Sequence, residues 1–194
     1  MRIMQLLWLS SCLGHAAAHA EQAVIDNSGQ SDHGIVALNQ AAGSANQQGN
    51  LQALAVSATA SHANVFLFRQ QSAASTAGTA DAHASIAGAA FSGSQGLMAI
   101  NQTAGHANHS LNAFTLAASP QPQATTLPSA AADSLLAGTA GGNPAMAAGS
   151  SGRHDQTDIS AAAFLGSRGL VQLNQIAGSR NQAVNVVAVQ WAKP

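Results

Sequence analysis

From Gly34 to Gln40 every second residue belongs to one side of an extended chain: Ile35, Ala37 and Asn39 on one face, Val36, Leu38 and Gln40 on the other. A second such alternation starts at Asn181, where Asn181, Asn185, Val187 and Val189 share a face and Gln182, Val184 and Val186 take the opposite one. A period of two predicts strands. The stretch also recurs. Residues 34–50, 96–112 and 169–185 align without gaps as G-x4-N-Q-x-A-G-x2-N-x3-N, in copies that start 62 and 73 residues apart. Seven of the seventeen positions are identical in all three: Gly34/Gly96/Gly169, Asn39/Asn101/Asn174, Gln40/Gln102/Gln175, Ala42/Ala104/Ala177, Gly43/Gly105/Gly178, Asn46/Asn108/Asn181 and Asn50/Asn112/Asn185. Three further positions stay apolar, namely Ile35/Leu97/Leu170, Val36/Met98/Val171 and Leu38/Ile100/Leu173. In the last two copies the match continues upstream, Phe91-Ser92-Gly93-Ser94-Gln95 against Phe164-Leu165-Gly166-Ser167-Arg168, so a unit is about 35 residues long.

Within a unit, two strands flank an Ala-Gly pair. A glycine fixed at Gly43, Gly105 and Gly178 predicts a bend that needs positive φ or close backbone approach, hence a strand-arch-strand. The identity of the polar positions then acquires a physical reason. An amide buried alone costs about 1 to 3 kcal/mol. If the units stack about 4.8 Å apart, each Asn or Gln can donate to its copy on one side and accept from its copy on the other. Such a ladder requires the same residue in every copy. The predicted fold is therefore all-β, stacked strand-arch-strand repeats forming a β-solenoid or cross-β rungs, with flexible linkers between them. The predicted fibril-core ladder is Asn39, Gln40, Asn46, Asn50, Asn101, Gln102, Asn108, Asn112, Asn174, Gln175, Asn181 and Asn185, with Gly43, Gly105 and Gly178 as arch glycines.

Composition supports the same picture. Six Lys or Arg and seven Asp or Glu in 194 residues, with 45 Ala, 18 Gly, 18 Gln and 12 Asn, make a nearly uncharged chain with few large apolar side chains. Low charge removes self-repulsion, and small side chains let sheets approach closely. No basic run offers a nucleic-acid surface. The division expected is a signal peptide over 1–20, repeat 1 over 21–56, a linker over 57–81, repeat 2 over 82–117, a linker over 118–154 and repeat 3 over 155–194. Within the first linker, Val65-Phe66-Leu67-Phe68 reads as an extra strand or a sticky segment, and residues 129–137 admit a turn or two of helix. At the start, Arg2, the apolar run from Ile3 to Leu9 and Ala18-His19-Ala20 read as a secretory signal cleaved after Ala20. Leu9-Ser10-Ser11-Cys12 has the form of a lipidation box, the competing reading for that end. Cleavage at Ala20 leaves no cysteine, so no disulfide supports the exported chain.

Sites of chemistry reduce to repeat positions. His106 and His109 are spaced for a metal, but they replace Ser44/Ser179 and Gln47/Gln182 in the alignment and read as ladder-flanking occupants. His154, Asp155 and Asp158 read as a solvated turn. Asn101-Gln102-Thr103 and Asn108-His109-Ser110 match the glycosylation pattern only because they belong to the repeat. No nucleophile elbow or phosphate loop occurs. The expectation is no enzyme, no cofactor, no metal and no small-molecule substrate.

Three N-Q-x-A-G-x2-N-x3-N units separated by low-complexity segments resemble the Fap functional amyloid subunits of Pseudomonas. The resemblance implies a cross-β core in extracellular biofilm fibrils, self-association with homologous subunits of the same system, and export through the periplasm and a dedicated outer-membrane pore. It also implies a C-terminal cysteine pair in the major subunit. The sequence Val189-Gln190-Trp191-Ala192-Lys193-Pro194 has none, which points to the minor, nucleator-like subunit. The alternative is a monomeric β-solenoid adhesin or binding module at the cell surface.

Overall fold

The computed structural model describes residues 20–65, 80–125 and 154–192. Residues 1–19, read above as a secretory signal, Phe66 to Phe68 of the apolar run and residues 129–137 lie outside the described residues. The described chain is all strand, without a helix. Its eleven strands are β1 (Glu21–Asp26), β2 (His33–Ala42), β3 (Gln47–Val56), β4 (Ala60–Asn64), β5 (Ala82–Ala87), β6 (Gln95–His106), β7 (His109–Ser119), β8 (Gln121–Thr125), β9 (Gln156–Ile159), β10 (Arg168–Ser179) and β11 (Gln182–Ala192).

Each copy of the repeat is one rung. A rung runs back and forth through successive layers, and rungs stack through parallel pairing. The sheets are β1-β5-β9, β10-β6-β2, β11-β7-β3 and β4-β8, so the second copy is always central where three strands pair. The β2-β6-β10 sheet lies between β1-β5-β9 and β3-β7-β11, and β4-β8 covers the far side of the latter. Register follows the sequence alignment residue for residue: Asn39, Asn101 and Asn174 are partners, as are Asn50, Asn112 and Asn185.

Two features depart from the sequence reading. A rung contains more than the two strands flanking the arch, and two of the added strands, β4 and β8, fall inside the stretches read as linkers. Their composition explains both. In β4, Ser61 and Ala63 point inward and are buried while Ala60, His62 and Asn64 are exposed. Ala63 and Ala124 pack on Ala117, Ala53 and Ala55, a contact that small side chains alone permit. Neither β4 (Ala-Ser-His-Ala-Asn) nor β8 (Gln-Pro-Gln-Ala-Thr) has a large apolar residue to mark a period, so strand and linker look alike in them. Val65 ends the described part of the first rung as a buried residue.

One cluster is built of large apolar side chains. Ile25, Ile86, Phe91, Met98 and Ile100 form a cluster between β1-β5-β9 and the central sheet, with Val36, Leu38, Phe164 and Leu173 against it. A second cluster is alanine throughout, Ala23, Ala82, Ala84 and Ala104, while Leu97, Leu111, Phe114 and Ile176 are buried outside both.

Candidate functional site

The arch brings the ladder together. Gly43, Gly105 and Gly178 have φ of 92°, 110° and 117°. A Cβ on Gly105 would collide with the Gly178 carbonyl, and one on Gly43 with the Gly105 carbonyl. Stacked bends at strand spacing thus exclude any side chain here. Two residues on, Ala45, Ala107 and Arg180 are also left-handed, with φ of 56°, 55° and 61°. Nothing in Ala or Arg signals that conformation, and sequence reasoning missed it.

Across the bend, Asn39, Asn101 and Asn174 face Asn50, Asn112 and Asn185. Asn50 Nδ2 donates to Asn39 Oδ1 (3.0 Å), Asn101 Nδ2 to Asn50 Oδ1 (3.0 Å), Asn112 Nδ2 to Asn101 Oδ1 (3.1 Å), Asn174 Nδ2 to Asn112 Oδ1 (3.1 Å) and Asn185 Nδ2 to Asn174 Oδ1 (2.9 Å). The six amides form one zigzag through three rungs. Direct rung-to-rung bonds reinforce it, Asn101 to Asn39 (2.9 Å), Asn174 to Asn101 (2.9 Å), Asn112 to Asn50 (3.0 Å) and Asn185 to Asn112 (3.0 Å). On the other face of the central sheet, Gln102 Nε2 donates to Gln40 Oε1 and Gln175 Nε2 to Gln102 Oε1, both at 2.9 Å.

The arch column differs in kind. Asn46 Oδ1 accepts from both the backbone and the amide nitrogen of Asn108 (3.1 and 3.2 Å), and Asn108 Oδ1 accepts from the Asn181 backbone (2.9 Å). Asn46 Nδ2 donates to the carbonyls of Ala42 and Gly105, and Asn108 Nδ2 to those of Ala104 and Gly178. These residues close the bend and tie it to the rung above. The structure therefore places all twelve polar repeat positions in columns. A further amide, Gln172, carries no repeat signal, since its column holds Ala99 and Ala37 in the other rungs; it donates to the carbonyls of Ala113 and Asn185.

Desolvation follows position in the stack. Asn101, Gln102, Asn108 and Asn112 of the central rung are fully buried, whereas Asn39 and Asn181 at the two ends are exposed; of the other outer-rung ladder amides Asn174 is buried and the rest are half-buried. Burial also places the formal glycosylation sites, Asn101 and Asn108, out of reach of any modifying enzyme in the folded state.

The other polar residues serve the stack. His106 bridges Glu21 Oε1 through Nε2 and Ser44 Oγ through Nδ1, each at 2.7 Å, and so fastens the beginning of β1 over the arch. Burial lowers the pKa of His109 below the ordinary imidazole value. Asp158 lies 3.7 Å from His83 and accepts from Gln156, and His154 donates its backbone N–H to Asp81. Among the described residues no three His, Cys, Asp or Glu side chains are placed to hold a metal ion, and no helix is long and apolar enough to cross a membrane.

No solved structure matches this chain. The sequence profile of one family does, over residues 11–192, and its extent takes in all three rungs with the segments between them. Membership implies a structural subunit of extracellular fibrils that associates with subunits of its own kind. With its amide columns, its arches and that match over nearly the whole length, the chain belongs to the functional amyloid protein FapB/FapC family.

Proposed function

We propose that the chain is a secreted minor subunit that nucleates extracellular fibrils supporting biofilm, templating growth through its Asn and Gln columns. One observation carries the reading: the columns are satisfied in the central rung and left open at both outer rungs, where Asn39 and Asn181 are exposed. An open column is a template, because an arriving rung with the same residues gains hydrogen bonds that water alone supplied before. In this reading the ladder residues form the fibril core and residues 66–79 and 126–153 join the rungs. The leader ends at Ala20, and the subunit passes the periplasm and an outer-membrane pore.

The test is assembly of residues 21–194 at micromolar concentration. The expected result is thioflavin-positive fibrils after a lag, with a 4.8 Å meridional reflection, and sonicated fibrils that shorten the lag of a longer homologous subunit. A monomer that sediments unchanged for days would remove the assembly reading, and fibrils that fail to seed the homologue would remove the nucleating one.

A further inference from the structure

The layers are staggered. Gln102 Nε2 donates to Ala23 O of β1 and to Ser85 O of β5, so β6 lies across the seam between those strands. Gln175 spans β5 and β9 in the same way, through Ala84 O and Asp158 O. Among the described residues Gln40 Nε2 donates to Val24 O of β1 alone. On the opposite face, Asn101 donates to Gly49 O of β3 while Asn112 of β7 donates to Ile100 O, and Asn174 donates to Leu111 O of β7 while Asn185 of β11 donates to Leu173 O. The central sheet is thus displaced by about half a strand spacing, roughly 2.4 Å, relative to both neighbours. At one end of the stack β2 projects as a tongue. At the other, β10 is recessed between β9 and β11 as a groove.

Hydrogen-bonding capacity is divided the same way. The ladder amides Asn101, Gln102, Asn174 and Gln175 each donate to a backbone carbonyl, which can only accept, so the backbone fixes their direction. Donors point from the third rung toward the first. The tongue therefore offers Asn39 Nδ2, while the groove offers the carbonyl oxygens of Asn185 and Gln175. Apolar side chains are open at both ends too: Ile35 is 52% exposed and Val171 39%, against 7% for Leu97 and 1% for Met98 in the central rung.

We infer that these ends are the two halves of one joint and that its occupant is a second copy of this chain, added head to tail. The inference rests on the assembly reading above. Continuing the register, Asn39 Nδ2 of the arriving copy meets Asn174 Oδ1, Asn185 Oδ1 and Val184 O. Its Gln40 Nε2 meets Gln175 Oε1 and Thr157 O, and its Asn46 backbone N–H meets Asn181 Oδ1. Tongue against tongue would set donor against donor and leave gaps beside both β2 strands. Groove against groove would set acceptor against acceptor. The contact is heterologous and does not close, so it generates an open, polar filament.

Asn39→Asp isolates the joint. Asn39 Oδ1 accepts from Asn50 and Asn101, which a carboxylate does equally well, so the subunit keeps its internal bonds while the tongue loses its donor and gains a charge. At pH 7 the pure variant is expected to elongate wild-type seeds at least tenfold more slowly than wild type. Added at one tenth to wild-type subunits, it should arrest one end of each fibril in two-colour microscopy, since its groove still accepts a wild-type tongue. At about pH 3.5, where Asp is largely protonated, elongation should return toward the wild-type rate at that pH. Wild-type elongation rate for the variant, or equal slowing of both ends, overturns the joint. Failure of wild type itself to form fibrils overturns the assembly reading instead.

Discussion

The central rung and the outer rungs carry the same column residues in different environments. Asn101, Gln102 and Asn112 have no exposed surface, while Asn39, in the same column, faces solvent. Neighbours, not residue identity, decide burial in this molecule. An outer rung is a half-built interior, and the same substitution should have very different consequences at the two positions.

The largest contrast is expected from Asn101→Asp. The change removes donors to Asn39, Asn50 and Gly49 and places a carboxylate in a fully buried site, a cost of about 3 to 5 kcal/mol for an uncompensated buried charge. At 1.4 kcal/mol per decade, the subunit concentration needed for fibrils should rise on the order of a hundredfold or more at pH 7, as measured by pelleting. Burial disfavours the ionised form, so acid should restore assembly; an unchanged solubility limit at pH 7 would place Asn101 in water.

Next comes Gly105→Ala, whose added carbon meets the Gly178 carbonyl, against Gly166→Ala in the turn before β10, whose added carbon meets nothing within 4 Å. Both pay the positive-φ penalty of about 1 kcal/mol, and only the central arch pays for collision. Fibril yield should fall severely for the first and little for the second. Equal loss would mean that the arches are not stacked.

Thr115→Val works in the other direction. Thr115 is fully buried between Ala53 and Ala188, and its hydroxyl has no hydrogen-bond partner among the described residues. Removing that hydroxyl should stabilise by about 1 kcal/mol, read as a higher guanidinium concentration at which half the fibril dissolves.

The smallest effect concerns His109, whose pKa is lowered by burial. The folded state disfavours the imidazolium, so stability is held above the unfolded pKa near 6.5 and declines as pH falls below it. His109→Gln, the residue at Gln47 and Gln182 in the same column, should flatten the decline between pH 7 and 5 without changing stability at pH 8.

These contrasts also mark what can be read before folding. The columns at Asn39, Gln40, Asn46 and Asn50 are legible because a ladder demands the same amide in every copy, and the bends because only glycine tolerates a carbonyl so close. The outer layers are not. Ala23, Ala84 and Thr157 share a register position without sharing identity, and β4 (Ala60-Ser61-His62-Ala63-Asn64) and β8 (Gln121-Pro122-Gln123-Ala124-Thr125) hold no large apolar side chain, just as flexible segments hold none. The stagger of the sheets leaves no trace in any single copy, since it is a relation between layers. Nor could sequence join His106 to Glu21, which meet only because the first strand folds over the second arch.

The residues that break the repeat have a role the repeated ones cannot play. To the amide columns, any rung is as good as any other, and a chain stacked in the wrong order would satisfy them equally. Phe91 and Phe164 stack with centroids 5.2 Å apart, and in the first rung the place beneath the Phe91 ring belongs to Gly29, where even a methyl carbon would come within 2.7 Å of it. Glu21 finds an imidazole only in the second rung. Such singular contacts act as page numbers: they give three interchangeable leaves a single order, first, second, third, so that each copy presents the same two outward faces to its neighbours.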